Sequence, residues 1–265
     1  MNILSLFKFT LTFYNIGLFV KEKIAKVKYH KWITLSKRNN ELKDYKKNDV
    51  CYICGNGPSL KKVNFDLLEG DTIVMNDHWR ISDKHSKSPT YYLINDNAYA
   101  DLELRERLEG VLKCCPEIPH VFSVSMGPTL DSFCNNYGTN IFYYNNIGRT
   151  FKKNYPIDFT KCTYYTWNVV SAAIQFAIFA GYKKIYLLGC DYSLFATQFM
   201  KHMYDKENTN VKFQSRLRDR LFKYSITTHI HYEISQYAIA HNVEIKNLTS
   251  ASLLDAYEID FNSPY

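Results

Sequence analysis

The chain has 265 residues, of which 46% are hydrophobic, 16% aromatic and 22% charged. A chain of this size and composition can bury one substantial core, which excludes an intrinsically disordered protein. The formal net charge is +7 at pH 7, and residues 21–47 alone hold ten Lys or Arg against three Asp or Glu. The remainder is therefore nearly neutral, so nucleic-acid binding by the core loses its main electrostatic support.

The chain begins with an apolar stretch that is followed at once by a basic one. Residues 3–20 contain Lys8 as their one charged residue, and lysines recur from Lys21 onward. The stretch lacks the leading charges and the cleavage site of a secretory signal, and it is at the short limit for a membrane span. We expect residues 1–48 to form a helical arm that lies on an anionic membrane surface, at the cytoplasmic face of the inner membrane. The alternatives are a helix packed on the core or on a second subunit, and a single membrane span.

From residue 49 onward, short apolar runs alternate with helical patterns. The runs are nearly continuous, as is typical of strands that are covered on both faces. Repeated β-α units predict an α/β fold with a Rossmann-like, mainly parallel twisted sheet, in which ligands bind at the carboxyl ends of the strands. Strands are predicted at residues 50–54, 71–77, 91–95, 121–124, 141–144, 184–190 and 243–247, and helices at 167–180 and 231–241.

The first predicted strand ends in the turn Gly55-Asn56-Gly57-Pro58-Ser59. The two glycines permit positive φ and the close approach of a ligand to the backbone, and Pro58 suits the first position of a helix. A helical pattern continues to Leu68, and the amino end of such a helix favours a phosphate. An ordinary β-α turn is the alternative.

Polar residues also follow other predicted strands at the same edge of the sheet. For any one of them, turn formation or helix capping is an alternative role. Together, they are expected to bind ribose, base edges and phosphate through neutral hydrogen bonds. These strand-end residues are Asn56, Asn76, Asp77, Asn95, Asp96, Asp191 and Ser193.

Several common cofactor motifs are absent from the sequence. The GxxxxGK[ST] phosphate loop does not occur, and the first turn lacks the third glycine of the dinucleotide fingerprint. The triplet at residues 95–97 (NDN) has one carboxylate where a metal site would need a pair, and the seven cysteines show no zinc spacing. We therefore expect no metal or other cofactor, a nucleoside monophosphate as ligand, and reduced thiols in a cytosolic protein.

Four segments carry a resemblance to known families: Ile53–Lys61, Met75–Asp77, Asn168–Ser193 and Ile245–Glu258. They resemble the bacterial CMP-sialic acid-dependent sialyltransferases of mucosal pathogens. They are equally similar to the related MptE-like and flagellar motility-accessory-factor families. The resemblance implies a GT-A-like variant of the Rossmann-like sheet with a small helical lid, and it makes residues 49–265 a nucleotide-sugar-binding catalytic domain.

The resemblance implies a glycosyltransferase that moves a sialic-acid-like or related keto sugar from a CMP donor to lipopolysaccharide, lipooligosaccharide or capsule, without metal. Asp191 corresponds to the family's aspartate after the central strand, and Asn168 falls where sialyltransferases carry a hydroxyl residue. The family's next tyrosine is Ser193 here, with Tyr192 one place earlier, and Tyr204 is a candidate substitute for the phosphate contact. The implied nucleotide-binding residues are Asn56, Gly57, Pro58, Ser59, Asn76, Asp77, Asn95, Asp96, Asn168, Gly189, Tyr192, Ser193 and Tyr204.

Transfer to a sugar hydroxyl requires a base, and histidine has a suitable pKa. His202 resembles the His-Phe-Tyr step of the MptE-like group, and His229 sits close to the position of the sialyltransferase base. We expect His202 to be the base, with His229 as second candidate and Asp191 as a further catalytic residue. A surface or capping role is the alternative for either histidine.

Residues 195–225 are polar, basic and aromatic. They are expected to form a mobile lid over the donor that contacts an anionic acceptor such as a lipid-linked saccharide, unless they are a solvated helical excursion. The resemblance and the apolar arm also make a homo-oligomer plausible. Two other functions stay open: an MptE-like ATP-dependent pyrophosphokinase that uses Mg²⁺ with Asp77, Asp96 and Asp191, and a non-catalytic partner in glycan assembly.

Overall fold

The computed structural model of the chain describes residues 3–84, 86–96, 99, 105–133, 140–147, 156–164, 167–205, 211–212 and 215–262. The strands are β1 Val50–Cys54, β2 Asp71–Met75, β3 Tyr91–Ile94, β4 Pro119–Ser123, β5 Asn140–Tyr144, β6 Lys184–Leu188, β7 Phe199–Met200, β8 Val211–Lys212, β9 Glu244–Asn247 and β10 Glu258–Ile259. The α-helices are α1 Ile3–Lys28, α2 His30–Leu35, α3 Arg105–Cys114, α4 Gly127–Phe133, α5 Val169–Ala180 and α6 Leu217–Ala240.

Eight of the strands form one sheet in the order β10-β9-β6-β1-β2-β3-β4-β5, and every neighbouring pair is parallel. The predicted α/β fold with a parallel sheet is thus confirmed. From β1 the chain adds strands outward to β5, and it then returns to add β6, β9 and β10 on the other side. The order therefore reverses between β1 and β6, which is where open α/β sheets place a ligand crevice.

The core lies on both faces of this sheet, because the central strands are apolar along their whole length. Ile53 and Phe176 belong to the layer that includes α5, whereas Tyr92 and Leu108 belong to the layer on the opposite face. Helix α5 begins after Asn168, whose side chain accepts a hydrogen bond from the backbone N–H of Val170 at 2.7 Å. The helix ends at Gly181, which is left-handed with φ 89°, a conformation that costs glycine little.

The predicted helix after the first turn is wrong in type and length. Residues 58–62 and 65–67 form two short 3₁₀ turns that are separated by extended backbone at Val63 and Asn64. The side chain of Asn64 accepts a hydrogen bond from the backbone N–H of Asp66 at 3.1 Å, so Asn64 caps the second turn as a separate element. A five-residue 3₁₀ turn has few aligned peptide dipoles, and the expected attraction of its amino end for phosphate is correspondingly weak.

The second half of the basic N-terminal arm packs against the sheet. A 3₁₀ segment at residues 36–45 lies beside β5, where the Asn39 amide donates to the backbone oxygens of Tyr143 at 2.7 Å and Phe159 at 2.8 Å. Leu42 is fully buried, and its backbone oxygen accepts a hydrogen bond from Tyr91. Residues 36–45 therefore contribute to the core. Among the described residues, none of the helices is both long enough and apolar enough to span a bilayer.

The segment predicted as a lid combines three structures. Residues 194–196 form a 3₁₀ turn, β7 and β8 pair as an antiparallel ribbon, and α6 begins at Leu217. The later part of α6 buries Ile226, Ile230 and Ile234 at a helical spacing, whereas its first turns are largely exposed. The predicted helix at 231–241 is the last part of α6.

Candidate active site

The loops after β1 and β6 meet at the point where the strand order reverses. The Gly55 N–H donates to the Leu188 backbone oxygen at 2.7 Å, and the Gly57 N–H donates to the Gly189 backbone oxygen at 2.9 Å. A Cβ atom on Gly57 would lie 1.9 Å from the Asp191 carboxylate, and Gly57 has an ordinary φ of −71°. The expectation that these glycines supply positive φ is wrong. They let two protein loops approach each other closely.

The carboxylate of Asp191 occupies the place that was predicted for a phosphate. Ser59 donates to it twice, from its backbone N–H at 3.3 Å and from its hydroxyl at 2.8 Å. Pro58 stands at the first position of the 3₁₀ turn and has no N–H to offer. A phosphate held by the donors of Ser59 would have to displace Asp191 from this turn.

Asn56 connects three parts of the site. Its amide nitrogen donates to the Met75 backbone oxygen at the end of β2 at 2.9 Å, and its backbone oxygen accepts from the Met203 N–H at 3.0 Å. Its side-chain Oδ1 is buried and has no hydrogen-bond partner among the described residues. A buried oxygen without a partner costs roughly 1–3 kcal/mol, and a ligand donor would satisfy it.

A chain of polar side chains continues along the carboxyl edge from β2 to β5. Asn76 is left-handed with φ 47°, and its Oδ1 accepts from the Asn95 N–H at 3.4 Å. The Asn95 Oδ1 accepts from Tyr144 at 2.7 Å and from Asn146 at 2.5 Å. The Ser123 hydroxyl in turn donates to the Asn146 Oδ1 at 2.9 Å. The sequence reasoning missed Asn146 and Ser123, although both stand at strand ends and the same rule would have found them.

Asp77 forms a buried ion pair with Arg107. The Arg107 guanidinium donates to both of its oxygens, at 3.0 Å and 2.8 Å, and the Tyr99 hydroxyl donates to it as well. Burial by itself would raise the pKa of the Asp77 carboxyl, but the hydrogen bonds from Arg107 and Tyr99 outweigh it and lower this pKa below its ordinary value. Asp96, by contrast, is exposed.

Residues 201–205, which follow β7, contact the Asn56 turn through the Met203 N–H, and two of their rings form a stack beside Arg80. The His202 ring stacks on Tyr204 at 5.1 Å between centroids, and the Arg80 guanidinium lies 5.0 Å from the Tyr204 centroid. His202 Nδ1 is 3.3 Å from the Asp205 carboxylate. Lys61 anchors this segment by donating to the Asp205 backbone oxygen at 3.1 Å. Burial raises the pKa of the Tyr204 hydroxyl.

The His202–Asp205 pair has the arrangement of a base with an orienting group. A carboxylate at Nδ1 fixes the tautomer of a histidine and leaves Nε2 to take up a proton. The sequence reasoning did not single out Arg80 or Asp205, because neither follows a strand or belongs to a known motif. Among the described residues, no group of three His, Cys, Asp or Glu side chains could hold a metal ion.

The remaining predicted residues lie in the walls of the site. Tyr192 is left-handed with φ 56°, its hydroxyl is 3.1 Å from Thr228 Oγ1 on α6, and burial raises its pKa. Asn168, which the resemblance implies as a nucleotide-binding residue, caps α5 with its side-chain oxygen. Ser193 precedes the 3₁₀ turn at 194–196, and His229 is half-buried in α6. The structure thus groups Asn56, Asn76, Asn95 and Asp191 with His202 and Tyr204, whereas Tyr192 and Asn168 support helices.

No protein-family model and no curated protein matches the sequence. Solved structures with this fold include the α-2,3-sialyltransferase Cst-I from Campylobacter jejuni, with 20% identity, a TM-score of 0.49 and 79% of each chain covered. The sialyltransferase CstII from the same organism, in complex with the substrate analogue CMP-3FNeuAc, has 17% identity and a TM-score of 0.46 over 83% of this chain and 89% of that one.

A third similar structure is the MAf glycosyltransferase from Magnetospirillum magneticum AMB-1, with 12% identity and a TM-score of 0.50 over 89% of this chain and 39% of that one. All three structures come from the two groups that the sequence segments resemble, and the MAf glycosyltransferase shares the fold of this chain. Because a fold hosts many functions, the activity has to be inferred from the site itself.

Proposed function

We propose that the protein is a glycosyltransferase that transfers a sialic-acid-like or related keto sugar from a CMP-activated donor to a cell-surface glycan. The observation that carries the proposal is the buried, unpartnered Oδ1 of Asn56 at the point where the strand order reverses. That oxygen is an acceptor for a ribose hydroxyl or for the cytosine amino group, and the neighbouring amides and hydroxyls suit the same ligand.

The donor phosphate is proposed to lie outside the first turn, because Asp191 fills the turn itself. Arg80 is proposed as the cation for this phosphate; it rests on the Tyr204 ring, is 42% exposed and lies 3.8 Å from the Asp77 carboxylate. A monophosphate leaving group carries less charge than a diphosphate, and a guanidinium with a few hydroxyl and amide donors balances it. The proposed reaction is therefore independent of metal.

His202 is proposed as the general base. The acceptor oxygen forms a bond to the anomeric carbon, and the bond from that carbon to the phosphate oxygen breaks, so that CMP leaves with the electron pair. The acceptor proton passes to Nε2 of His202, while Asp205 stabilises the resulting imidazolium through Nδ1. Asp191 and His229 remain the other catalytic candidates.

Calorimetric titration and a transfer assay test this function. CMP is expected to bind in the presence of a chelator, and His202→Ala is expected to lower kcat about 10²- to 10⁴-fold with the CMP Kd unchanged. His229→Ala serves as the comparison and should retain most of the activity. Binding of ATP that requires Mg²⁺ would replace the proposal with a pyrophosphokinase, and no binding of either nucleotide would indicate a non-catalytic partner.

The proposal includes attachment to an anionic membrane surface at the cytoplasmic face of the inner membrane. On α1, Leu18 and Ala25 are buried, and the opposite side of the helix exposes large apolar residues over about three turns. On a helical wheel with 100° per residue, lysines lie within this exposed apolar face and at both of its borders. Helices that lie in a lipid interface have the same arrangement. The exposed apolar residues are Ile16, Phe19, Val20, Ile24 and Val27, and the lysines are Lys21, Lys23, Lys26 and Lys28.

Sedimentation with vesicles tests the attachment. The double variant Val20→Ser with Ile24→Ser should lose at least tenfold in affinity for phosphatidylglycerol vesicles, since partial burial of each side chain contributes about 1 kcal/mol. Leu67→Ser with Leu253→Ser changes two equally exposed leucines elsewhere on the surface and should bind as the wild type does. Equal binding of both double variants would refute the role of α1.

A further inference from the structure

A second cleft opens at the same edge of the sheet as the candidate active site. It has a volume of about 400 Å³ and is lined by Trp167, Arg218, Asp219, Phe222 and Lys223. These residues stand immediately before α5 and in the first two turns of α6. Because α5 leads into the amino end of β6 and α6 into that of β9, the first turns of both helices lie at the carboxyl edge of the parallel sheet.

The lining of this cleft combines aromatic rings with cations. The Trp167 and Phe222 rings are 6.5 Å apart at an angle of 57°, and the Lys223 ammonium is 5.9 Å from the Trp167 centroid. Arg218 pairs with Asp219 at 3.2 Å, but both side chains are exposed, so this pair is weak and can exchange for a ligand. Two cations and one carboxylate give the lining a net positive charge.

Three large apolar side chains beside the cleft are about half exposed. Leu217, Leu221 and Phe222 are 46–53% exposed, although later residues on the same helix, such as Ile230, are buried. Single exposed apolar residues are ordinary, but a cluster that adjoins a partly buried tryptophan and two cations is typical of a binding surface. Aromatic faces stack on the C–H faces of sugars, and ammonium and guanidinium groups pair with carboxylates or phosphates.

We propose that this cleft binds the acceptor, as a saccharide that carries a carboxylate or a phosphate. The sugar ring would stack on Trp167, and the anion would pair with Lys223 and Arg218. The inference rests on the proposed function, because it assigns the amide-lined crevice to the donor and this neighbouring cleft to the second substrate. Asp219 repels an anion at one side of the cleft and so restricts where the charge can sit.

Tryptophan fluorescence tests binding without any turnover. Sialyllactose and galactose 6-phosphate are expected to change the emission, whereas lactose and galactose should bind at least tenfold more weakly. Trp167→Phe should abolish the change and retain the fold, as judged by its thermal unfolding. Because the exposed cations are screened by salt, affinity for both anionic sugars should fall as ionic strength rises.

The charge-matched comparison uses two double variants. Arg218→Gln with Lys223→Gln should weaken the binding of both anionic sugars at least tenfold and raise the acceptor KM with the CMP Kd unchanged. Lys183→Gln with Lys184→Gln removes the same charge at the opposite edge of the sheet and should have no effect. Equal binding of neutral and anionic sugars, or a loss of less than threefold in the first double variant, would overturn the assignment.

The two proposals fail in different ways. If CMP binds but no saccharide perturbs Trp167, the cleft assignment is wrong and the donor site stands. If the anionic sugars bind as expected but CMP does not, the cleft is a saccharide site and the proposed transfer reaction is wrong.

Discussion

Replacement of Arg107 by alanine is expected to lower the free energy of unfolding by about 3–5 kcal/mol. The guanidinium donates to both oxygens of Asp77, which is buried just after β2. Its removal leaves that carboxylate without hydrogen bonds from a cation and with Arg80 at 3.8 Å as its remaining ion pair. Breaking a buried pair in this way costs more than the pair itself contributes, because the remaining charge keeps its desolvation penalty. Urea unfolding at pH 7 measures the loss.

The dependence of this loss on pH identifies its cause. In the wild type, Arg107 and Tyr99 hold the pKa of Asp77 below its ordinary value of 3.8 against the effect of burial. The stabilisation is therefore fully present above pH 3.8, and it disappears as pH falls through the lower pKa of the folded state. The difference between wild type and Arg107→Ala should be large at pH 7 and should shrink once Asp77 is protonated.

Two further variants complete the test. Adding Asp77→Asn to Arg107→Ala should restore part of the lost stability, because it removes the buried charge. Lys113→Ala breaks an exposed pair with Glu109 on the same helix and should cost less than about 1 kcal/mol. A loss below about 1 kcal/mol for Arg107→Ala at pH 7 would contradict a buried, stabilised carboxylate.

Much of the sheet follows from the sequence, because the strands are covered on both faces. A strand such as Lys184–Leu188 needs apolar residues at nearly every position, so the sequence contains it as a short continuous run of apolar residues. Because the carboxyl ends of parallel strands lie at one edge of the sheet, the sequence also predicted that Asn56, Asn76 and Asn95 are neighbours. In the structure, hydrogen bonds connect the ends of their strands.

The contacts of the glycine turn could not be predicted, because they depend on a loop more than 130 positions away. The same pattern, Gly55 to Ser59, fits a phosphate cradle or a close protein contact, and the local sequence does not say which. The structure supplies the missing partner in Gly189 and Asp191. For the same reason, the local sequence did not predict the ion pair between Asp77 and Arg107, because it joins the end of β2 to helix α3.

Backbone strain supports the location of the site. Of the three described non-glycine residues with positive φ, Asn242 lies between α6 and β9, whereas Asn76 and Tyr192 lie just after β2 and β6. A left-handed conformation costs roughly 1–2 kcal/mol for most residues. Asn76 turns its side chain toward β3, and Tyr192 turns its ring toward α6. Strained residues cluster at functional sites in proteins, and here they flank the strand pair at which the sheet order reverses.

Replacement of Asn56 by alanine is expected to weaken CMP binding roughly 5- to 150-fold, since the ligand loses an acceptor worth about 1–3 kcal/mol. Stability should change little, because the variant removes the donor to Met75 together with an oxygen that has no protein partner. Calorimetry gives the Kd, and Asn40→Ala, an exposed asparagine on the N-terminal arm, is the control.

Asn56→Asp provides the sharper comparison. It keeps an acceptor oxygen in the same place, but it cannot donate to the Met75 backbone oxygen, and it adds a negative charge to the site. Because a second carboxylate repels a phosphate, the aspartate variant should bind CMP less tightly than the alanine variant. If either variant binds CMP with wild-type affinity, the buried oxygen of Asn56 is not a nucleotide acceptor, and the observation on which the proposed reaction rests is lost.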